Sequence, residues 1–299
     1  MNKFRHLLVG IDYSDACRSA LRTAIRLATA DDAAVTAVHV LDPRLAKAMQ
    51  EVHGFTEAQL LRNVEDSVHR FLAESEFGSE MVRIHLDIDH PITGLTSACR
   101  KTQADLLVLG TRGTSHGPNE VGAVASKCVR RAPTDVLLVR EDMSGPFVNA
   151  LVGVDFSEAS GRAVSMAGHI ASCDGTKLDC IHVYEPPVVL DYGGFLPAIP
   201  LDEPGIIDGL NKDLQELVPT LLQPYPSVKW HAEVQHGTNT RDVLIHHAKK
   251  TDSDLVVIGT RGKSDLHTLF MGTTAESIVR RAACSVLAVK PSHSVIAAA

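Results

Sequence analysis

The residues with the clearest chemistry lie near the C-terminal end, in the stretch DLVVIGTRGKSDLHTLFMGTTAES over 254–277. An apolar run, Leu255 to Ile258, stops at Gly259. Gly262 follows after two intervening residues and Gly272 after nine more, with Thr273 and Thr274 behind it. A short run of buried-strand hydrophobics ending in glycine reads as a parallel strand feeding a loop. Ala275–Ala283 beyond it has helix-forming residues around Ile278 and Val279. Glycines let main chain approach an anion, and the free N–H groups of a helix's first turn point at it. The chemistry predicted is phosphate binding. A Walker loop is excluded, because its first glycine would fall at 257, where Val257 stands, and no G-x-G-x-x-G follows any strand.

These residues need a frame, and the chain supplies it twice. LLVGIDYSDA from Leu7 recurs as LVGVDFSEAS from Leu151, which places Asp155 143 residues after Asp12. AVHV ending at Val40 recurs as CIHV ending at Val183, and ADLLVLGTRG ending at Gly113 recurs as SDLVVIGTRG ending at Gly262. ASKCVRRAPTDVLLVR from Ala125 returns as AESIVRRAACSVLAVK from Ala275. A period near 150 residues is too long for a solenoid unit and marks two copies of one domain, 1–143 and 144–299, joined around EDMSGP at 141–146.

Within the first copy, Leu7–Ile11 reads as a strand, and Ser14 caps a helix with Cys17, Ala20, Leu21, Ala24, Ile25 and Ala28 on one face. Ala34–Leu41 is a second strand. A longer helix carries Leu60, Leu61, Val64, Val68, Phe71 and Leu72, and Met81–Ile88 is a third strand. A short helix at Ile92–Lys101, a strand at Asp105–Leu109, a helix at Val121–Ala132 and a last strand at Val136–Val139 complete it. Such alternation gives an α/β fold, a doubly wound parallel sheet in each copy, with ligands beyond the carboxyl ends of the strands where the order reverses. Asp12, Asp155, Val40, Val183 and both glycine loops fall at those ends. The second copy departs at Tyr184–Gly209, a Pro- and Gly-rich excursion carrying Tyr192, Phe195, Leu196, Ile199, Ile206 and Ile207, read as a flap, a partner contact or a surface loop.

The gapped pattern G-x2-G-x9-G-[ST], with VGVD at 152–155 and His182-Val183, resembles the ATP-binding signature of the universal stress protein family, and the likeness covers nearly the whole chain. The resemblance implies two domains of the adenine nucleotide alpha hydrolase-like type forming an internal pseudo-dimer through the strands Val136–Val139 and Val286–Val289. It implies that Asp155 and Val183 serve the adenosine end of ATP, and that Gly259, Gly262, Gly272 and Thr273 hold ribose and phosphates. Val154, Thr260, Arg261, Thr274 and Ala275 then line the site. The triphosphate implies a divalent cation, most simply Mg²⁺. The function implied is a nucleotide-dependent stress-response switch with a protein partner. A slow ATPase and a vestigial interaction module are the rivals, and a homodimer of whole chains is left open.

The first copy keeps Asp12, Val40, Gly110 and Gly113, but only eight residues separate Gly113 from Gly122, and Ala123 replaces the hydroxyl residue. Pro118 removes an N–H, and Glu120 places a negative charge where an anion would sit. ATP is therefore expected mainly in the second half.

A net charge of −7 argues against a nucleic-acid partner, which wants a basic face. No apolar run approaches the ~20 residues that span a bilayer. The opening MNKFRHLLVGID enters a strand at once, which leaves no room for a signal peptide, and six scattered cysteines without a C-x-x-C pair read as small buried apolar residues of a cytoplasmic protein. His85, Asp87 and Asp89 alternate as metal ligands could, but they read as the polar face of an edge strand. The adjacent His246 and His247 diverge on a helix, His39 and His182 read as core histidines, and Arg130-Arg131 and Arg280-Arg281 as a solvated helix face. Asp155 as a general base would stand too far from a γ-phosphate, so no catalytic residue is assigned.

Overall fold

The computed structural model describes residues 3–74, 82–113, 121–186, 203–262 and 271–292. The first copy runs β1 (His6–Gly10), α1 (Asp15–Asp31), β2 (Ala34–Leu41), α2 (Pro43–His53), α3 (Glu57–Ala73), β3 (Val82–Ile88), α4 (Pro91–Thr102), β4 (Leu106–Gly110), α5 (Ala123–Arg131) and β5 (Asp135–Val139). The second runs β6 (Asn149–Gly153), α6 (Glu158–Asp174), β7 (Lys177–Tyr184), α7 (Glu203–Leu222), β8 (Trp230–His236), α8 (Thr240–Lys250), β9 (Leu255–Gly259), α9 (Thr273–Arg281) and β10 (Ser285–Val289).

Both copies share one ten-stranded sheet, ordered β3-β2-β1-β4-β5-β10-β9-β6-β7-β8. Neighbours within a copy are parallel. The seam between copies is antiparallel, with Leu287 opposite Leu137 and Val286 opposite Leu138. The expected pairing of the two final strands is thus the join that makes one sheet of two. Within each copy the order reverses between the first and fourth strands, so the switch points lie between β1 and β4 and between β6 and β9.

Successive residues of a strand face opposite sides of the sheet. Leu137, Val139, Leu287 and Val289 join the core under α1, α3, α6 and α7, whereas Val136, Leu138, Val286 and Ala288 join the core under α4, α5, α8 and α9. Both cores run through the seam without interruption. Ser14 caps α1 as expected, its hydroxyl accepting from the Cys17 N–H at 3.1 Å.

Two elements depart from the sequence reading. Helix α2 lies where no helix was expected: Asp42 caps it and Pro43 opens it, and although Leu45, Met49 and Val52 recur at helical spacing, Ala46 is its buried residue. The excursion is shorter than Tyr184–Gly209, because β7 runs through Tyr184 and α7 begins at Glu203. Pro204 sits in the first helical turn, where its missing N–H costs nothing, so Ile206 and Ile207 are helical. Tyr192, Phe195, Leu196 and Ile199 lie outside the described residues, as do Pro118 and Glu120.

Candidate functional site

The second-half switch point opens into a cavity of about 740 Å³. All ten residues singled out there line it: Val154, Asp155, Val183, Gly259, Thr260, Arg261, Gly262, Gly272, Thr273 and Thr274, with Ala275 beside them. Strand β6 delivers Val154 and Asp155 at its carboxyl end. The Val154 N–H extends the ladder to the Ile181 carbonyl at 2.9 Å. Asp155 Oδ1 accepts from the Ser157 N–H at 3.0 Å, a tight turn that puts Phe156 at φ +58° and lets Ser157 cap α6. A bulky residue in the left-handed region is strained, and Phe156 is steadied by His182, whose ring lies 4.7 Å away.

The glycines turn out to have different physical reasons. A β-carbon on Gly259 would stand 2.9 Å from the backbone of Ala159 and 3.0 Å from Ser160 N, so this glycine admits the start of α6 against the end of β9. Gly110 does the same for α1, at 2.8 Å from the Ala16 backbone. A β-carbon on Gly262 would instead stand 2.7 Å from Asp155 Oδ2, inside the site. Gly272 is the N-cap of α9 and offers no side-chain acceptor, so the first-turn N–H groups of that helix are unclaimed by a capping side chain. Its own N–H is held by the Thr260 carbonyl at 2.9 Å, and the Thr260 N–H in turn by the Val289 carbonyl of β10 at 2.8 Å.

Eight described lining residues lay outside the predicted set: Gly153, Ile181, His182 and Ile258 flank predicted positions, and four others join them. Thr240 and Leu244 come from α8, Met271 precedes Gly272, and Ser160, in the first turn of α6, accepts from the Asp155 N–H at 3.3 Å. Local pattern could not have brought α8 to this place; the first-half counterparts of Thr240 and Leu244, Pro91 and Leu95, line the corresponding first-half cavity in the same way.

That cavity gathers Asp12, Val40, Gly110, Gly113 and Gly122, but its volume is about 240 Å³. Small-molecule sites usually enclose about 300–1,000 Å³, so the larger cavity falls in the range and the smaller below it. Ala123 and Val124 stand where Thr273 and Thr274 stand in the second half, and Ile11, Val38, Leu95 and Leu109 make the remaining wall apolar. Arg112, the counterpart of Arg261, donates from Nε (3.1 Å) and Nη2 (2.8 Å) to Glu141 Oε2. The position matching Glu141 in the second copy is Pro291, and among the described residues Arg261 has no carboxylate partner.

The remaining constellations take ordinary roles. Nδ1 of His182 donates to the Val154 carbonyl at 2.7 Å, and Nδ1 of His39 to the Ile11 carbonyl at 2.8 Å. Burial pushes the His39 imidazole below its ordinary range, against the pull of that hydrogen bond. His85 and Asp87 lie on edge strand β3 with Asp89 just past it, and among the described residues their ligand atoms do not converge. His246 is exposed while His247 is buried against Asp179 and Gln235. Arg130 pairs with Glu276 at 3.5 Å and Arg281 with Asp242 at 2.9 Å, on the helix surface. Among the described residues no helix is long and apolar enough to cross a membrane.

Comparison with known proteins agrees with this architecture. A universal stress protein of Mycobacterium tuberculosis is 25% identical over 302 residues, covering 96% of each chain. The universal stress protein A homolog 1 of Coxiella burnetii is 32% identical over 148 residues, which is 48% of this chain and 96% of the relative. The crystal structure of a universal stress protein from Archaeoglobus fulgidus superposes with a TM-score of 0.66 over 96% of this chain and 98% of that one; at 16% identity the likeness is one of fold. The universal stress protein family itself matches twice, over residues 3–140 and 146–290. With two family matches spanning nearly its whole length, the chain belongs to the universal stress protein family.

Proposed function

We propose that this protein binds ATP in its second half and acts in the cytoplasm as a nucleotide-dependent stress-response switch, with the first half a degenerate copy of the site. The observation that carries the reading is the contrast between the two cavities: about 740 Å³ against about 240 Å³, with hydroxyls in one where the other has Ala123 and Val124. The larger one combines main chain left bare by Gly262, an α9 N-terminus without a capping side chain, Thr273, Thr274 and Arg261, which has no carboxylate partner among the described residues; that donor set suits phosphate oxygens. Asp155 and the strand end at Val183 line the same cavity and suit a ribose and an adenine. Asp155 is the one carboxylate among the described lining residues, so the Mg²⁺ accompanying a triphosphate would ride on phosphate oxygens.

What supports a switch is the route from this loop to the seam. Thr260 lines the cavity and is hydrogen-bonded to Val289 of β10, the strand that pairs with the first half. Ligand contacts that differ between two arrangements of this loop would bias the seam and the surfaces beside it, including one offered to a protein partner.

The test is chromatography of nucleotide released from the purified, denatured protein, followed by melting with and without Mg-ATP. Ligand at 100-fold its Kd adds about 2.7 kcal/mol, a rise of about 5–10 °C for a protein of this size. A protein that carries no adenine nucleotide and melts unchanged in ATP would sink the reading and leave an interaction module.

A further inference from the structure

The two halves are bolted together by a pair of buried contacts related by the internal twofold, and the two are not chemically alike. Helices α1 and α6 each end in an aspartate, Asp31 and Asp174, whose side chains are 3% and 1% exposed. Each holds the chain entering its own half: Asp31 Oδ2 accepts from the Phe4 N–H at 2.8 Å, and Asp174 Oδ2 from the Phe147 N–H at 3.0 Å. Each also receives one side chain from the opposite half. Asp174 receives the guanidinium of Arg26, whereas Asp31 receives Nε2 of His169 at 2.7 Å. Residues 26 and 169 are counterparts at the repeat offset of 143, as are Asp31 and Asp174. Among the other exchanges between the two helices, Ala30 of α1 is matched in α6 by Cys173.

His169 and Cys173 stand four residues apart in α6, so these two departures from α1 share one face of the helix. Both departures install metal-ligand chemistry, an imidazole and a thiol, opposite a carboxylate already fixed from the other half. Ligand atoms of Asp31, His169 and Cys173 all lie within 4.8 Å of one another, and among the described residues no other such trio forms. A tetrahedral zinc ion sits about 2.0–2.3 Å from oxygen, nitrogen and sulfur ligands, so only small side-chain rotations separate this arrangement from a binding site. His169 and the Asp31 carboxylate are shut away from water, while Cys173 is half-buried and opens the trio to solvent. The thiol side is thus the side from which an ion would enter. The mixed O, N, S set suits Zn²⁺ and disfavours Mg²⁺ or Ca²⁺, which want oxygen alone. The Phe4 N–H on Asp31 is the kind of outer hydrogen bond that orients a ligand.

We propose that Asp31, His169 and Cys173 form a zinc site that staples α1 of the first half to α6 of the second. The ion replaces the hydrogen bond between His169 and Asp31, taking Nε2 of the imidazole while its proton resides on Nδ1, and the Cys173 thiol releases its proton to solvent as it binds. The site is independent of the nucleotide reading.

The experiment strips the full chain with a chelator and titrates it with Zn²⁺ by calorimetry and with Co²⁺ by absorption. One equivalent of either metal is expected, with the near-ultraviolet thiolate-to-cobalt band and the visible bands of a tetrahedral ion, and a raised melting temperature. Cys173→Ala, which copies the twin's Ala30, should abolish the thiolate band and weaken Zn²⁺ binding by more than the roughly 10–100-fold that loss of an outer-shell partner costs. His169→Arg, which copies the Arg26–Asp174 pair, should remove binding altogether while the halves stay joined. Absence of binding at micromolar metal would overturn the proposal. So would binding that Cys173→Ala leaves unchanged, for example at Asp179, His231 and His247, which offer no thiol.

Discussion

Asp155 and Gly262 are 107 residues apart in the chain, yet a single β-carbon on the glycine would stand 2.7 Å from Asp155 Oδ2. The clash is with the tip of a short side chain, so Gly262→Ala should fold and displace the carboxylate from the site. The Mg-ATP melting shift of about 5–10 °C is expected to vanish with little change in the unliganded melting temperature. Gly259→Ala differs, since its β-carbon meets backbone of α6. Overpacking of that kind costs about 1–3 kcal/mol, and should lower the melting temperature with or without nucleotide. Equal behaviour of the two variants would refute the distinction.

Arg261 and Arg112 occupy matching places, but only Arg112 is held by Glu141. Arg261→Ala should weaken ATP binding about ten- to a hundredfold, corresponding to loss of a charged hydrogen bond of about 1.5–3 kcal/mol, and leave adenosine binding nearly unchanged. Arg112→Ala should leave ATP affinity alone and cost about 0.2–1 kcal/mol of stability, as partly exposed ion pairs do. Calorimetry with ATP and adenosine on both variants separates the effects. An Arg261 variant that binds ATP like wild type would remove this residue from the site.

The seam should be cooperative. Leu137 and Leu287 face each other across β5 and β10, both fully buried. Leu287→Ala should cost about 2–5 kcal/mol in urea unfolding. Combined with Leu137→Ala, the losses should be non-additive by about 0.5–3 kcal/mol, the range for residues in contact. Strict additivity would mean that the two halves do not share a core at this point.

Alkaline pH should destabilise the protein. Burial pushes the thiols of Cys17, Cys99, Cys128, Cys180 and Cys284 up from 9.0 to about 12. Between those limits the folded chain keeps protons that the unfolded chain releases, so stability falls as pH rises. Lys290 acts in the opposite sense: burial lowers it from 10.5 to about 8, and between those values the unfolded chain binds the extra proton, so stability rises. Five thiols outweigh one amine. The urea midpoint should hold or climb slightly from pH 8 to 9 and then drop, and Cys128→Ala should make the drop shallower. A midpoint that keeps climbing to pH 10.5 would show that the thiols are not held protonated.

Much of the architecture was legible in the residues themselves. Strand-length apolar runs ending in glycine, the Ser14 cap and the repeated LVG-[IV]-D and GTRG segments are local signals, and local signals survive being read one window at a time. They placed the second-half loop, and the missing hydroxyl at Ala123, without coordinates. Helix α2 was legible but went unread: Asp42 and Pro43 signal its start, and Leu45, Met49 and Val52 recur at helical spacing although Leu45 and Val52 stay exposed. The length of α7 was missed because Pro204 and Gly205 mimic a loop.

What the chain order could not decide are contacts made by side chains distant in sequence. Whether Gly259 serves a ligand or a helix depends on how closely α6 lies on β9. That Arg112 is tied to Glu141 depends on where Glu141 leaves the end of β5. The pairing of Asp31 with His169 and of Asp174 with Arg26 exists only once two halves share a seam. Sequence periodicity fixes which face of an element is apolar, because that follows from backbone geometry; which polar groups meet across the buried junction is set by packing, and only the assembled sheet brings them together.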